Sequence, residues 1–409
     1  MLVRIVLIAL VELATSSCFI LSSGDQNLNI KLPEGFKNQL IISNLGYSRQ
    51  LAVLENGDLI VGGATTRLLI SEGDGYRKKV IPNIYGGGVQ VKGDYIYFGA
   101  ASYISRLRIE DLYMDQIPEP ELVIKFERQA KHELRTFTTD QNGFIYVNIG
   151  APSNICQPEN RENRKGAPSL DPCTQLEDFA GIWRFPADKL NQKRSDGYHY
   201  ASGIRNAVAI DWNSSNNKLY VVQHGRDRLN GLYPDLYSTQ DNADLPAEEF
   251  MLVEDGDKFG WPYCYFDPYQ DKLLLGPEYG GDRKKIGRCA EFKRPLVGFP
   301  AHYSPNDLLF YKGDQFPSKY KNAALVAFHG SWNREPHGQK GFNVIVQPME
   351  NGLPVGKWSV FADGFAGKQF VSNLGDAAAR PCGLAEGPGG SVYVLDSVDG
   401  KIWEIWYEG

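Results

Sequence analysis

Residues 141–150 read Gln-Asn-Gly-Phe-Ile-Tyr-Val-Asn-Ile-Gly, QNGFIYVNIG. An Asn-Gly pair opens the stretch, and β-branched and aromatic residues follow, the signature of a tight turn feeding a strand. The pattern recurs as NGDLIVGG (56–63), KGDYIYFGA (92–100), NNKLYVVQHG (216–225), KNAALVAFHG (321–330) and GGSVYVLDS (389–397). Six similar hairpins in one all-β chain predict a β-propeller, each blade contributing about one sheet. The spacing is uneven, Gly57 and Gly93 lying much closer together than Asn217 and Asn322, so an irregular pair of β-sandwiches is the competing architecture. The propeller is preferred because strands are many and amphipathic helices almost absent. The long insertions at about 151–180 and 226–300 then become loops on one face, where sites are usually built.

The 409 residues are 42% hydrophobic and 12% aromatic, enough to bury a sizeable core, and 43 Gly with 23 Pro favour turns and short strands. Net charge is −6 with both signs mixed along the chain, and no basic stripe suits nucleic acid. A small or neutral partner, or an anion held in a local basic pocket, remains open. Residues 1–23 have the pattern of a secretory signal peptide, with Arg4 ahead of the apolar run Ile5 to Ala14 and Glu12 interrupting it. That reading leaves 24–409 as a single exported domain. No apolar stretch of about 20 residues offers a stable membrane anchor. Export makes the cysteines readable as disulfides, Cys156–Cys173 and Cys264–Cys289, with Cys382 free and Cys18 lost with the signal. No C-x-x-C pair suggests a zinc site. Asn213-Ser214-Ser215 is a candidate glycosylation sequon.

Several polar groups stand beside the predicted strands, where strand ends would gather them around an axis. Arg205 and Asn206 precede one strand; His224, Gly225, Arg226 and Asp227 end the next. His329, Trp332, Asn333 and Arg334 end another, and Arg380 leads into the last hairpin. Each arginine alone resembles a solvated surface residue. Their recurrence after equivalent hairpins points instead to a small polyanion held by planar, permanently charged forks.

The strings G-x-R-N (203–206), H-G-R-D (224–227), G-W-P-Y (260–263), H-G-S-W-N-R (329–334) and R-P-x-G-L (380–384) resemble the soluble quinoprotein sugar dehydrogenases. This is the glucose/sorbosone dehydrogenase family, with its secreted fungal pyranose dehydrogenases, and the resemblance covers roughly residues 35 to 407. It implies a six-bladed β-propeller with pyrroloquinoline quinone (PQQ) and calcium at its axial face. By motif match Arg205 and Asn206 would contact the quinone, Arg205 also stabilising negative charge there. Arg334 and Arg380 would hold carboxylates, with His224 and Trp332 also at the cofactor. Main-chain carbonyls of Gly225 and Arg226 would ligate calcium, a hard cation suited to oxygen. Cys382 departs from the small aliphatic residue expected inside R-P-x-G-L; a free thiol beside a quinone could react.

His132, in QAKHELRTF (129–137), falls where the family places its catalytic base, with Arg135 assisting its orientation. A sugar hydroxyl must lose a proton as hydride leaves the same carbon, and neutral imidazole suits that task. The cationic neighbourhood favours the neutral form, and His132 is expected to be the one neutral base of a cationic pocket. The implied activity is oxidation of an aldose or related sugar at the anomeric carbon, with electrons passing to an external acceptor such as a cytochrome. Two other readings compete: a secreted calcium-dependent propeller lactonase, needing clustered carboxylates rather than arginines, and a non-catalytic extracellular binding domain.

Overall fold

The turn at the head of QNGFIYVNIG is closed by Asp140. Its Oδ1 accepts the N–H groups of Asn142 at 2.9 Å and Phe144 at 2.8 Å. Gly143 takes φ +91°, a left-handed conformation that would strain any side chain. The turn joins Phe137–Thr139 to Phe144–Ile149 as an antiparallel pair. In the computed structural model, which describes residues 28–158, 164–166 and 168–409, six sheets built this way form a six-bladed β-propeller.

Blade 1 comprises Ser48–Val53, Leu59–Gly63, Arg67–Glu72 and Gly75–Val80, and blade 2 Gly88–Lys92, Tyr95–Gly99, Tyr103–Arg108 and Glu121–Lys125. Blade 3 comprises Phe137–Thr139, Phe144–Ile149, Gly181–Pro186 and Tyr198–Ser202, and blade 4 Ala209–Asn213, Lys218–Gln223, Glu248–Val253 and Val297–Phe299. Blade 5 comprises Pro305–Phe310, Ala324–Phe328, Asn343–Gln347 and Ser359–Ala362. Blade 6 takes three strands from the C-terminal part, Pro381–Glu386, Val392–Asp396 and Ile402–Tyr407, and its outer strand from Phe36–Ile42. The pairing of Phe36 with Tyr407 and Leu40 with Trp403 therefore closes the ring.

All six quoted stretches contain the second strand of a blade. That strand lies inside its sheet and is covered on both faces by neighbouring blades, which is why Leu59–Gly63, Ala324–Phe328 and Val392–Asp396 are buried at every position. Apolar clusters fill each junction. Ile60 with Phe98 joins blades 1 and 2, Val123 with Phe137 blades 2 and 3, and Ile182 with Val221 blades 3 and 4. Phe250 with Phe328 joins blades 4 and 5, Leu325 with Val394 blades 5 and 6, and Leu395 with Leu51 closes blade 6 on blade 1.

The loop after the second strand of blade 3 carries the Cys156–Cys173 disulfide, and the excursion between the last two strands of blade 4 carries Cys264–Cys289, as expected from the sequence. The four half-cystines pack with Trp261 and Tyr263 into one apolar cluster that anchors both loops. Two short helices, Leu229–Leu232 and Thr239–Asp244, lie in the loop between the second and third strands of blade 4. Cys382 is free and 1% exposed. Its Sγ sits 3.5 Å from Ser48 O and 3.4 Å from Leu395 O, and burial pushes the thiol well above its ordinary pKa. The reactivity feared for it is thereby suppressed. Asn213 of the sequon is buried, its Oδ1 accepting from Ser215 N and Oγ. The signal-peptide reading of residues 1–23 lies outside the described residues, as does Cys18. Among the described residues no helix is long and apolar enough to cross a membrane.

Candidate active site

In an antiparallel blade the start of the first strand and the end of the second lie at the same end. The segments leading into first strands and the loops leaving second strands therefore crowd one face around the axis. His132, Arg205, His302 and Arg380 come from segments leading into blades 3, 4, 5 and 6; His224 and Asp227 follow the second strand of blade 4. All six line one cavity of about 230 Å³, together with Gly225 and Trp332. Sequence position alone thus brings together most of the predicted residues.

His132 has φ +50°, an uncommon left-handed conformation for a non-glycine residue. Its backbone is held from several sides. Gln129 Nε2 donates to His132 O at 3.2 Å and to Gly150 O at 2.9 Å. Arg135, 1% exposed, donates to Gln129 Oε1 at 2.8 Å and lies 3.5 Å from His132 O, so it supports the orientation of the loop as expected. Gly150 is required by close approach: a Cβ there would sit 2.6 Å from His132 Cβ and 2.8 Å from Asn206 Oδ1. His132 Nδ1 lies 2.6 Å from Ala151 O. A carbonyl can only accept, so Nδ1 carries the hydrogen and Nε2 keeps the lone pair. Burial, followed by the Arg205 charge, lowers the His132 pKa to about 3. The imidazole is therefore neutral, as expected, but desolvation is the main cause and the cationic neighbourhood the second.

His132 is not the sole neutral imidazole of the site, which corrects the sequence expectation. His224 donates from Nε2 to Pro305 O at 2.8 Å, and burial takes its pKa to about 4. His302 donates from Nε2 toward Asn242 O (2.8 Å) and Leu245 O (2.9 Å), and burial lowers its pKa too. His329 donates from Nε2 to Ser397 Oγ at 2.6 Å and accepts at Nδ1 from Arg380 Nη2 at 2.8 Å; burial, then Arg49 and Arg380, push it well below the ordinary range.

The arginines divide into different roles. Arg205 is pinned: Nη2 donates to Asp227 Oδ2 at 2.8 Å and Asn154 Oδ1 at 3.0 Å, and Nε to Asn154 O at 3.2 Å. Burial alone would raise the Asp227 carboxyl, but the Arg205 charge holds it below the usual range. Arg380 donates to His329 O, His329 Nδ1 and Gly330 O, and no carboxylate pairs with it among the described residues. Burial, then Arg49, lower its pKa to about 10. Arg334 turns away from the cavity. It is 4% exposed and donates to Ala243 O, Ala301 O and Asp244 Oδ1, bracing the blade 4 loop against blade 5. The Arg226 side chain also leaves the site, donating to both Glu278 carboxylate oxygens at 2.6 Å. Asn206 lies behind the cavity wall, accepting from Asn148 Nδ2 at 3.0 Å.

Asp227, His302 and Glu248 received no role from sequence. Glu248 accepts Gly225 N–H at 2.8 Å and Ser304 N–H at 3.0 Å, and burial raises its pKa to about 7. His302 leads into a first strand just as His132, Arg205 and Arg380 do, so the same positional signal could have found it. Glu248 carried no such signal, being one of two adjacent glutamates, with Glu249, that open the third strand of blade 4.

The residue set fits a polyanion and a hard cation. A half-buried guanidinium lacking a carboxylate counter-ion, with Arg49 close by, leaves positive potential for anionic oxygens. Gly225 lines the axial cavity and Arg226 the space next to it, and among the described residues neither carbonyl accepts a hydrogen bond. No cluster of three or more His, Cys, Asp or Glu suited to a metal occurs among them either. Any cation here would rest mainly on main-chain oxygen.

Residues 30–408 match the family model described as TrAA12-like. An uncharacterised protein of Borreliella burgdorferi is 22% identical over 400 residues, covering 93% of this chain and 91% of that protein. The pyrroloquinoline quinone-dependent pyranose dehydrogenase of Coprinopsis cinerea is 24% identical over 319 residues, 66% of this chain but 41% of that enzyme. Among solved structures, the holo PQQ domain of that pyranose dehydrogenase superposes with TM-score 0.71 at 19% identity, over 93% of this chain and 98% of the domain. The calcium structure of the Trichoderma reesei family AA12 enzyme gives TM-score 0.71 at 17% identity, over 94% and 99% of the two chains. The PQQ-bound aldose sugar dehydrogenase of Streptomyces coelicolor gives TM-score 0.54 at 16% identity, over 92% and 99%. These structures share the propeller fold.

Proposed function

The chain belongs to the TrAA12-like family, and from that premise we propose that it is an exported, PQQ- and calcium-dependent dehydrogenase that oxidises an aldose at its anomeric carbon to the lactone. The observation that carries the proposal is the axial cavity, where a neutral His132 with its Nε2 lone pair free faces guanidinium groups from two other blades. When bound, PQQ with calcium supplies a two-electron acceptor polarised by a Lewis acid.

The chain supplies the rest. His132 Nε2 accepts the proton of the anomeric hydroxyl, while its Nδ1–H bond to Ala151 O fixes the tautomer and the ring. Arg380 would hold carboxylate oxygens of the quinone, and His329 with Ser397 braces that fork from behind. Asp227 and Asn154 orient Arg205 so that its charge stays at the cavity. His224, Gly225 and Trp332 line the cavity and would complete the cofactor wall, and the Gly225 and Arg226 carbonyls would take the cation. Asn206 acts from behind, through Asn148 and the contact at Gly150. An external acceptor would take the electrons. The two disulfides support an oxidising, extracellular setting.

The test is reconstitution. Protein incubated with PQQ and calcium and then desalted is expected to retain quinone absorbance and to reduce a dye with one or more aldoses. Neither quinone retention nor turnover over a panel of sugars would overturn the proposal.

A further inference from the structure

A second cavity, about 500 Å³, opens between blades 1 and 2 beside the axial site, and the proposed chemistry does not use it. Tyr47, Tyr85 and Tyr103 stand around it; Tyr47 is 56% exposed and Tyr85 61%. Their positions are set. The Tyr103 hydroxyl accepts the Tyr85 N–H at 3.2 Å, and the Arg49 guanidinium lies 5.9 Å from the centre of the Tyr47 ring. The lining between them is backbone. A Cβ on Gly63 would sit 2.3 Å from Tyr47 O, and one on Gly86 2.3 Å from Gly99 O, so neither lining position can carry a side chain.

The wall toward the axis is shared. Glu133 and Leu134, which follow the proposed base His132 directly, line the tyrosine cavity. Arg49 lines it as well, while its charge acts on His224, His329 and Arg380 on the axial side. Gly87 makes that wall possible, since a Cβ there would sit 2.8 Å from Arg49 Cβ and 2.9 Å from Leu134 Cδ1. A pyranose presents an apolar face of C–H bonds and a rim of hydroxyls. Exposed tyrosines offer the matching combination of flat apolar ring and polar tip, and the Arg128–Glu133 ion pair at 2.9 Å adds donors and acceptors at the rim.

We infer that this cavity is a second sugar subsite, which takes the glycosidically linked neighbour of the pyranose being oxidised, so that the substrates are reducing di- and oligosaccharides rather than free monosaccharides. The inference rests on the sugar-dehydrogenase reading of the axial site.

The test compares wild type, Tyr85→Ala and Tyr47→Ala, each loaded with PQQ and calcium, on glucose, on the glucose disaccharides maltose and cellobiose, and on their trisaccharides. Wild type is expected to prefer at least one disaccharide. Each substitution is expected to lower kcat/KM for that disaccharide about tenfold while glucose changes less than about twofold. Equal effects on both sugars, no effect on either, or no disaccharide preference in wild type would overturn the subsite. So would a loss that appears for every sugar alike and only at limiting dye, because the tyrosines would then serve the acceptor. Calorimetric titration with methyl maltoside and methyl cellobioside, which cannot be oxidised at the anomeric carbon, separates the two readings. Binding that the tyrosine substitutions weaken, in a protein that turns over no sugar, would keep the subsite and overturn the dehydrogenase. Turnover of glucose with no tyrosine-dependent binding would do the reverse.

Discussion

His132 can be a base only because its hydrogen is committed elsewhere. Nδ1–H is held by Ala151 O, and a pKa near 3 leaves Nε2 free of a proton throughout the ordinary range. The His132→Ala variant should therefore lose about 10²- to 10⁴-fold in kcat while retaining quinone, measured by dye reduction and by absorbance after desalting. The wild-type kcat/KM should show no acid limb near pH 6.5 from this group, because it is neutral already well below that pH; a limb there that vanishes in His132→Ala would contradict the assignment. The two carboxylate-binding arginines expected from sequence should now separate. Arg380→Ala should weaken quinone binding by about 1.5–3 kcal/mol, the worth of hydrogen bonds to a charged group, as read by equilibrium dialysis. Arg334→Ala should leave that affinity unchanged but cost about 2 kcal/mol of stability by stranding the buried carbonyls of Ala243 and Ala301. Sequence could place Arg334 next to the site because H-G-S-W-N-R leaves a second strand. It could not tell that the chain turns after Asn333, nor that three carbonyl and carboxylate partners wait on the far side. Residue type and string position were legible; side-chain direction, set by partners distant in sequence, was not.

At the scale of elements, the hairpins were legible because their information is local. An Asn or Asp that caps the turn, a glycine with positive φ and a β-rich run lie within ten residues of one another, as at Asp140–Ile149. The closing strand Phe36–Ile42, FKNQLII, follows a turn at Gly35 (φ +84°) but has no hairpin partner beside it in sequence. Its partner is the last strand of the chain, and only the folded ring brings them together. Phe36 makes edge contacts with Phe316, Tyr320, Phe361 and Tyr407 at ring-centre distances from 4.7 to 5.2 Å, so it ties the closing strand to the junction of blades 5 and 6. The Phe36→Ala variant should lose about 3–5 kcal/mol, seen as a lower denaturation midpoint. Because the strand closes the ring, the transition should remain single with an unchanged slope; a separate early phase would show that closure is not coupled to the other blades.

For the whole molecule, burial of ionisable groups around the axis sets stability against pH through two opposed populations. His132, His302 and His329 have pKa values below 6.5 in the fold, His132 at about 3. Each bare folded imidazole binds fewer protons than its unfolded counterpart, so the stability it contributes is complete above pH 6.5 and is lost as pH falls toward the folded value. Asp211, Glu249 and Asp307 are shifted the other way by burial, from 3.8 to about 6, from 4.5 to about 8 and from 3.8 to about 8. Each folded carboxyl keeps a proton that the unfolded chain releases, so its contribution is complete at low pH and is lost as pH rises through the folded value. Every group involved changes the unfolding free energy by about 1.4 kcal/mol per pH unit inside its window. Below pH 6.5 the lowered histidines and the raised carboxyls oppose one another, and above it only the carboxyls act. The melting temperature of the protein without added quinone or calcium should therefore fall as pH rises above about 6.5 and change less steeply just below it. Asp307→Asn should flatten the alkaline limb, since Asp307 joins the first strands of blades 1, 5 and 6 through Gln50, Leu308 and Leu384 and carries one of the largest raised values. A melting temperature that rises steadily from pH 4 to 8 would mean that the axial carboxyls are ionised in the fold, and that water reaches the centre of the ring.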